Sequence, residues 1–361
     1  MDSPQPAPTS PRAAFDLRWF TRITLLLASA QFIRCYIIQT YKFLDLPQYA
    51  SGLERMPFQG RMLMMYPLRW AEHSPLIARL TTGPTPLFHS PDDLIICAIG
   101  FLSVLITGVL ITRLYRRVSP QPLFPWMPYA LMLVFLAANY LLHSPLVILY
   151  PYDLPSVAFF TAGMYCITTR RFWALVPIFT LGCFNRETML FLIPLFIIDA
   201  VFSNTSSDAE HESWRRLTRL STLAQITTLS AIWLAIHIYI QHRFAANHGE
   251  FYPHNWDPAA THRRLNILYL LEPRFWPQLL NACAYSLPFL LLLRRYILPL
   301  RLRGYVVILP LWFATMAVFG LWPETRIYGE LSGLAALLAT LALEGYVTQR
   351  LRSQTQPAAA L

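Results

Sequence analysis

Charge is scarce in this 361-residue chain: 13% of its residues are charged and 55% hydrophobic. A soluble protein of this size carries about 25% charged residues, so an ordinary soluble globular domain is excluded. Cysteine is scarce too. Cys35, Cys97, Cys166, Cys183 and Cys283 fall within or beside apolar segments, with no C-x-x-C and no Cys/His ligand spacing. Neither a disulfide framework nor a structural metal is indicated, and no cofactor can be named. No internal repeat and no separate soluble domain interrupts the pattern. The net charge of +10 is not a nucleic-acid footprint, because the arginines cluster in short loops between apolar segments, where they report topology.

Apolar segments lie at 23–41, 93–112, 124–142, 154–169, 172–184, 188–203, 219–241, 278–293, 304–321 and 330–348. Measured against the ~20 residues that cross a bilayer as helix, these predict an all-α polytopic bundle of about ten spans. Arginines follow every second segment: Arg113, Arg116 and Arg117; Arg170 and Arg171; Arg215, Arg216 and Arg219; Arg294, Arg295, Arg301 and Arg303; Arg350 and Arg352. With Arg12, Arg18 and Arg22 before the first segment, they put both termini in the cytoplasm. The proline-rich leader 1–14 reads as disordered, 15–348 as one transmembrane domain and 349–361 as a cytoplasmic tail. Residues 17–41 have signal-peptide features but continue as an apolar stretch too long for one, which favours an uncleaved first span. Segments five and six are short for a ~30 Å hydrocarbon core and read as tilted spans or a hairpin with an external tip. The external loops are 42–92, with the composition of interfacial amphipathic helices, and 242–277.

The polar residues inside this pattern are the candidates for function. "GCFNRETMLFL" puts Arg186 and Glu187 into an apolar run, where each charge would cost roughly 2.5–3.5 kcal/mol at the bilayer centre. The acids Asp92, Asp93, Asp153, Glu187 and Glu324 mostly open helices, and capping or the helix dipole explains such acids plainly. Asp92 and Asp93, in "SPDDLI", are read as an ordinary helix start. Arg186 and Arg326 are harder to dismiss, because a helix N-terminus disfavours a cation. With Arg61 and Arg69 of the first loop they point to ion pairs or to an anion held in guanidinium forks. Gln31, Arg34, Ile38, Tyr41 and Asp45 recur at helical spacing and predict a polar face turned inward, with Arg34 either a ligand contact or an internal salt bridge. His242, His248, His254 and His262 match no tight metal spacing and read as a solvated loop that touches substrate. The sequon at 204–206 falls on the cytoplasmic side and is discounted.

"PFQGRMLM", "YPYDLPSVAFF", "NRET" and "ETRIYGE", spread over nearly the whole chain, together resemble bacterial membrane glycosyltransferases of the GT-C class, although each motif alone is unspecific. The resemblance implies an inner-membrane protein that inverts a sugar as it moves from a polyprenyl-phosphate-linked donor to an external acceptor. In that class an acid after the first helix is the base, which here is Asp45. Asp45 stands alone, where many members carry paired acids, so Asp153 is the second candidate. The resemblance makes Arg61, Arg186 and Arg326 phosphate ligands, with Arg34, Glu187 and Glu324 beside the substrate. Membrane lipid and the lipid-linked donor are the expected partners. Two rival readings are a proton-coupled transporter or lipid flippase, for which Arg34 and a broken hairpin are suited, and a non-catalytic partner in a larger assembly.

Overall fold

A computed structural model describes residues 11–82, 88, 90–119, 121–142, 148–202, 219–247, 249 and 258–355. They are almost entirely helical. In chain order the helices are α1 (Pro11–Gln39), α2 (Leu46–Ser51), α3 (Met65–His73), α4 (Pro75–Thr81), α5 (Pro91–Val118), α6 (Met127–Tyr140), α7 (Asp153–Thr168), α8 (Phe172–Asn185), α9 (Leu192–Phe202), α10 (Leu220–Arg243), α11 (Pro258–Leu271), α12 (Trp276–Leu280), α13 (Ser286–Leu293), α14 (Leu300–Tyr305), α15 (Ile308–Phe319) and α16 (Ser332–Thr355). A short parallel pairing of Tyr41–Lys42 with Ile148–Leu149 ties the end of α1 to the chain before α7.

Five stretches are long and apolar enough to cross a membrane: Leu17–Gln39, Pro91–Val118, Leu220–Arg243, Leu300–Phe319 and Thr325–Gln354. The chain is a helical membrane protein. α5 shows how the sequence writes such a helix. Ser90 accepts from the Asp93 amide, Pro91 opens the first turn, and acids at the start with Arg116 and Arg117 at the end match the helix dipole. α7 lies at the centre and is buried along almost its whole length, packed against α5, α8 and α9 and the turn before α16. Its Gly163 admits Leu192 so closely that an added Cβ would meet Leu192 Cδ1 at 2.4 Å.

Helix is described from Pro11, and α16 runs to Thr355. Two expectations are corrected. The polar stripe of α1 does not face inward. Leu25, Ser29, Phe32, Ile33 and Tyr36 are the buried side, while Gln31, Arg34 and Ile38 are exposed. Close packing against α5 and α6 decides which side turns inward, since lipid leaves no preference for burying apolar area, and Tyr41 and Asp45 fall beyond the helix altogether. Finally, segment 278–293 is not one helix. It breaks at Cys283, Ala284 and Tyr285, all with positive φ, because Asn139 of α6 stands in for the lost helical partner. The Asn139 Oδ1 accepts from the Cys283 amide at 2.8 Å while its Nδ2 donates to Ser332 Oγ at 3.1 Å.

Residues 42–82, by contrast, fold as expected into short helices. The sequon at 204–206, and His248 and His254, lie outside the described residues.

Candidate functional site

The motif YPYD, residues 150–153, organises the site. Tyr36 of α1 donates its hydroxyl proton to the Tyr150 carbonyl at 3.2 Å, and Asn185 at the end of α8 donates to the Tyr152 carbonyl at 2.9 Å and to Ser156 Oγ at 2.8 Å. These contacts fix the two tyrosines side by side, with ring centroids 5.3 Å apart. An arginine lies over each. The Arg326 guanidinium is 4.0 Å from the Tyr150 ring centre and that of Arg61 is 4.8 Å from the Tyr152 ring centre, both within cation–π range. Burial pushes the Tyr150 phenol up to about 12 and raises that of Tyr152, so both rings meet the arginines as neutral phenols.

Arg61 comes from the first loop. The Tyr49 hydroxyl of α2 donates to its carbonyl, and its side chain forks onto Glu187, with Nη2 to Oε1 at 2.9 Å and Nε to Oε2 at 3.3 Å. A third donor reaches the Tyr152 hydroxyl at 3.0 Å. Burial alone would raise the Glu187 carboxyl, but the Arg61 charge and hydrogen bonds outweigh it and pull it down to about 2. Burial likewise works against the Arg61 charge, yet Glu187 and Tyr152 prevail and raise it well above the usual guanidinium range. The Glu187 side chain keeps 49% of its exposure, so solvent screens part of this pair.

Behind it lies a second, buried layer. Arg186 is 4% exposed, and it stands between two fully buried carboxylates: Nη1 donates to Asp153 Oδ1 at 3.0 Å, and Nε is 3.2 Å from Glu330 Oε1. Arg326 reaches Glu324 at 2.6 Å through Nε, with Nη1 3.9 Å from Asp153 Oδ2. Thr188 Oγ1 lies 2.7 Å from both oxygens of Glu330. Three guanidiniums thus meet four carboxylates. Among the described residues Asp153 Oδ2, Arg186 Nε, Arg326 Nη1 and the Tyr140 hydroxyl make no aligned hydrogen bond, although the first three lie in ion pairs of 3.2–3.9 Å.

Arg61, Asp153, Arg186, Glu187, Glu324 and Arg326 therefore meet in one cluster, drawn from four separate stretches of chain. Asp45 and Arg34 do not join it. Asp45 caps α2 with an exposed side chain, accepting from the Gln48 amide at 3.2 Å and its side-chain Nε2 at 2.9 Å. Arg34 is exposed on the outer face of α1. Glu330, Thr188 and the two tyrosines belong to the site although the sequence analysis assigned them no role. The signal for Glu330 was its place in ETRIYGE, beside Gly329, where an added Cβ would strike the Tyr140 hydroxyl.

A cleft of about 150 Å³ opens beside Glu187 and is walled by Met56, Gly60, Cys183, Trp233, His237 and Gln241, among others. Trp233 of α10 donates to the Glu187 carbonyl at 3.0 Å and carries His237 stacked on its ring. Among the described residues no group of His, Cys, Asp and Glu could hold a metal ion. What the fold and site define is a helical membrane protein with a buried arginine–carboxylate cluster at the meeting ends of its helices. Searches against protein-family models, curated proteins and solved structures find no match to this chain.

Proposed function

We propose that this chain is a bacterial inner-membrane glycosyltransferase of the GT-C type, with about ten spans and both termini in the cytoplasm. Its substrate is a polyprenyl-phosphate-linked sugar, passed to an acceptor on the extracytoplasmic face. The observation that carries this reading is the pair of arginines, Arg61 and Arg326, each laid on a tyrosine ring, with Arg61 bonded to Glu187 in the wall of a partly apolar cleft. Arginine forks match phosphate geometry, and the cleft gives an adjoining lipid portion an apolar wall. Arg186 is the inner member of the set, holding Asp153 and Glu330 behind the two outer arginines.

The chemistry follows from these roles. The acceptor hydroxyl attacks the anomeric carbon, the bond from that carbon to the phosphate oxygen breaks, and its electron pair leaves on the phosphate. Arginines stabilise the charge that develops there. A carboxylate takes the hydroxyl proton, a contribution of about 10²–10⁴ in rate. Asp45 is exposed one helical turn before Tyr49, which holds Arg61, whereas Asp153 is fully buried in ion pairs. Asp45 is therefore the better base and Asp153 the anchor.

The test is release of polyprenyl phosphate when the purified protein meets a polyprenyl-phosphate hexose and an extract of bacterial envelope glycans and lipids. Release that is lost in Asp45→Asn and Arg326→Ala is the expected result. No release with any hexose offered would sink the proposal. A proton-coupled transporter or flippase is then the second reading. It is favoured by the break at Cys283–Tyr285, since broken helices line substrate paths in transporters.

A further inference from the structure

Glu330 is fully buried at the entry to α16, and no step above uses it. We infer that Glu330 carries an exchangeable proton and that the Thr188 hydroxyl relays it to the exposed turn at Glu187. The inference does not depend on which ligand the outer arginines hold.

Three observations converge. The first is charge balance. Arg61 is committed to Glu187, which leaves Arg186 and Arg326 to serve Asp153, Glu324 and Glu330. Arg326 lies against the partly exposed Glu324 at 2.6 Å, so the two fully buried acids, Asp153 and Glu330, share the one buried Arg186. A buried surplus of negative charge is relieved by taking up a proton. The second is direction. Arg186 aims Nη1 at Asp153 as a hydrogen bond, while its Nε, although 3.2 Å from Glu330, is not aligned to donate. Asp153 is the ionised partner.

The third is the Thr188 geometry. A hydroxyl has one proton to give, yet Thr188 Oγ1 sits 2.7 Å from both Glu330 oxygens. An ionised carboxylate can share that single proton between its two oxygens, and a carboxylic acid can donate back to Thr188 while accepting from it. The contact therefore serves Glu330 in either state and supplies the path by which its proton is exchanged.

The charged and titratable groups facing Glu330 are Arg186 and Glu187 of the α8–α9 turn, Asp153 of α7 and Tyr140 of α6, with Arg326 and Glu324 earlier in its own segment. Arg186 favours a charge on Glu330, while Glu187, Asp153 and Glu324 oppose it. Thr188 is partly exposed, so it joins the buried acid to water. In the relay the acid's O–H bond breaks and its proton passes to the Thr188 oxygen. Thr188 gives its own proton to a solvent water, so the hydroxyl is restored and only Glu330 changes charge.

Infrared spectroscopy of the full chain in lipid nanodiscs at neutral pH reads this directly. The wild type should show the carbonyl stretch of a protonated carboxylic acid, shifted in D₂O and missing from Glu330→Gln. Absence of the band in the wild type, or its persistence in Glu330→Gln, overturns the assignment. Thermal melting gives a second readout. Glu330→Gln mimics the neutral acid and should melt near the wild type, well above Asp153→Asn. Equal losses in the two variants would make Glu330 an ionised partner of Arg186 and refute the inference. Thr188→Val should slow deuterium exchange of the band, and an unchanged rate would remove Thr188 from the route.

Discussion

The two ends of α7 carry two different ion clusters, set roughly 20 Å apart by its rise of ~1.5 Å per residue. At its C-terminal end Asp199 meets Arg301 with both oxygens at 2.5 Å, while Tyr305 donates to the same carboxylate and Arg301 also reaches the Ile167 carbonyl. One acid meets one base, and both Asp199 oxygens are hydrogen-bonded. At the N-terminal end four carboxylates meet three arginines, and several of the buried ion-pair contacts are not aligned as hydrogen bonds. The first arrangement is what packing needs. The second holds polar capacity that packing does not use, and that excess separates a site from a strut.

The largest effect expected from breaking this contrast is on stability. Asp153→Asn removes the partner of a buried guanidinium and should cost about 3–5 kcal/mol, read as a loss of melting temperature in detergent. Asp199→Asn should cost less, because its partner Arg301 keeps 22% of its exposure and can be solvated. The two differ in ligand binding, which only the first should disturb.

Arg326→Lys sharpens the comparison next. Lysine keeps the charge but loses the planar fork over Tyr150, so phosphate affinity should fall about tenfold, or ~1.4 kcal/mol, with stability nearly unchanged. Arg301→Lys should leave phosphate affinity where it was.

Glu187 gives a smaller effect, visible in acid. Its carboxyl is held at about 2 against an ordinary 4.5, so the stability it contributes is present above 4.5 and is lost as pH falls towards 2. The melting temperature of the wild type should drop across that window more than that of Glu187→Gln. Equal slopes would mean that the Arg61 fork does not hold in solution. Asp45→Ala should cost only about 1 kcal/mol as a lost helix cap, while abolishing transfer if Asp45 is the base.

Much of the site was legible because arginines at helix starts defy the dipole, and Arg186 and Arg326 stood out for that reason. The pairing was not. Arg186 bonds Asp153 and approaches Glu330, 33 and 144 residues away, rather than its neighbour Glu187. Periodicity likewise showed that Gln31, Arg34 and Ile38 share a face but not which way it turns, since the rings of Phe32 and Tyr36 set that. The break in segment 278–293 was hidden because its cause, Asn139, lies on another helix. The Asp199–Arg301 cluster was missed for the same reason.

Native mass spectrometry in mild detergent, with polyprenyl phosphate added to the wild type, Arg326→Ala and Arg301→Ala, tests the distinction between the two clusters most directly. One lipid phosphate bound to the wild type and to Arg301→Ala, and lost from Arg326→Ala, is the expected result. Retention in all three, or uptake by none, would contradict the claim that the overcharged cluster is the ligand site.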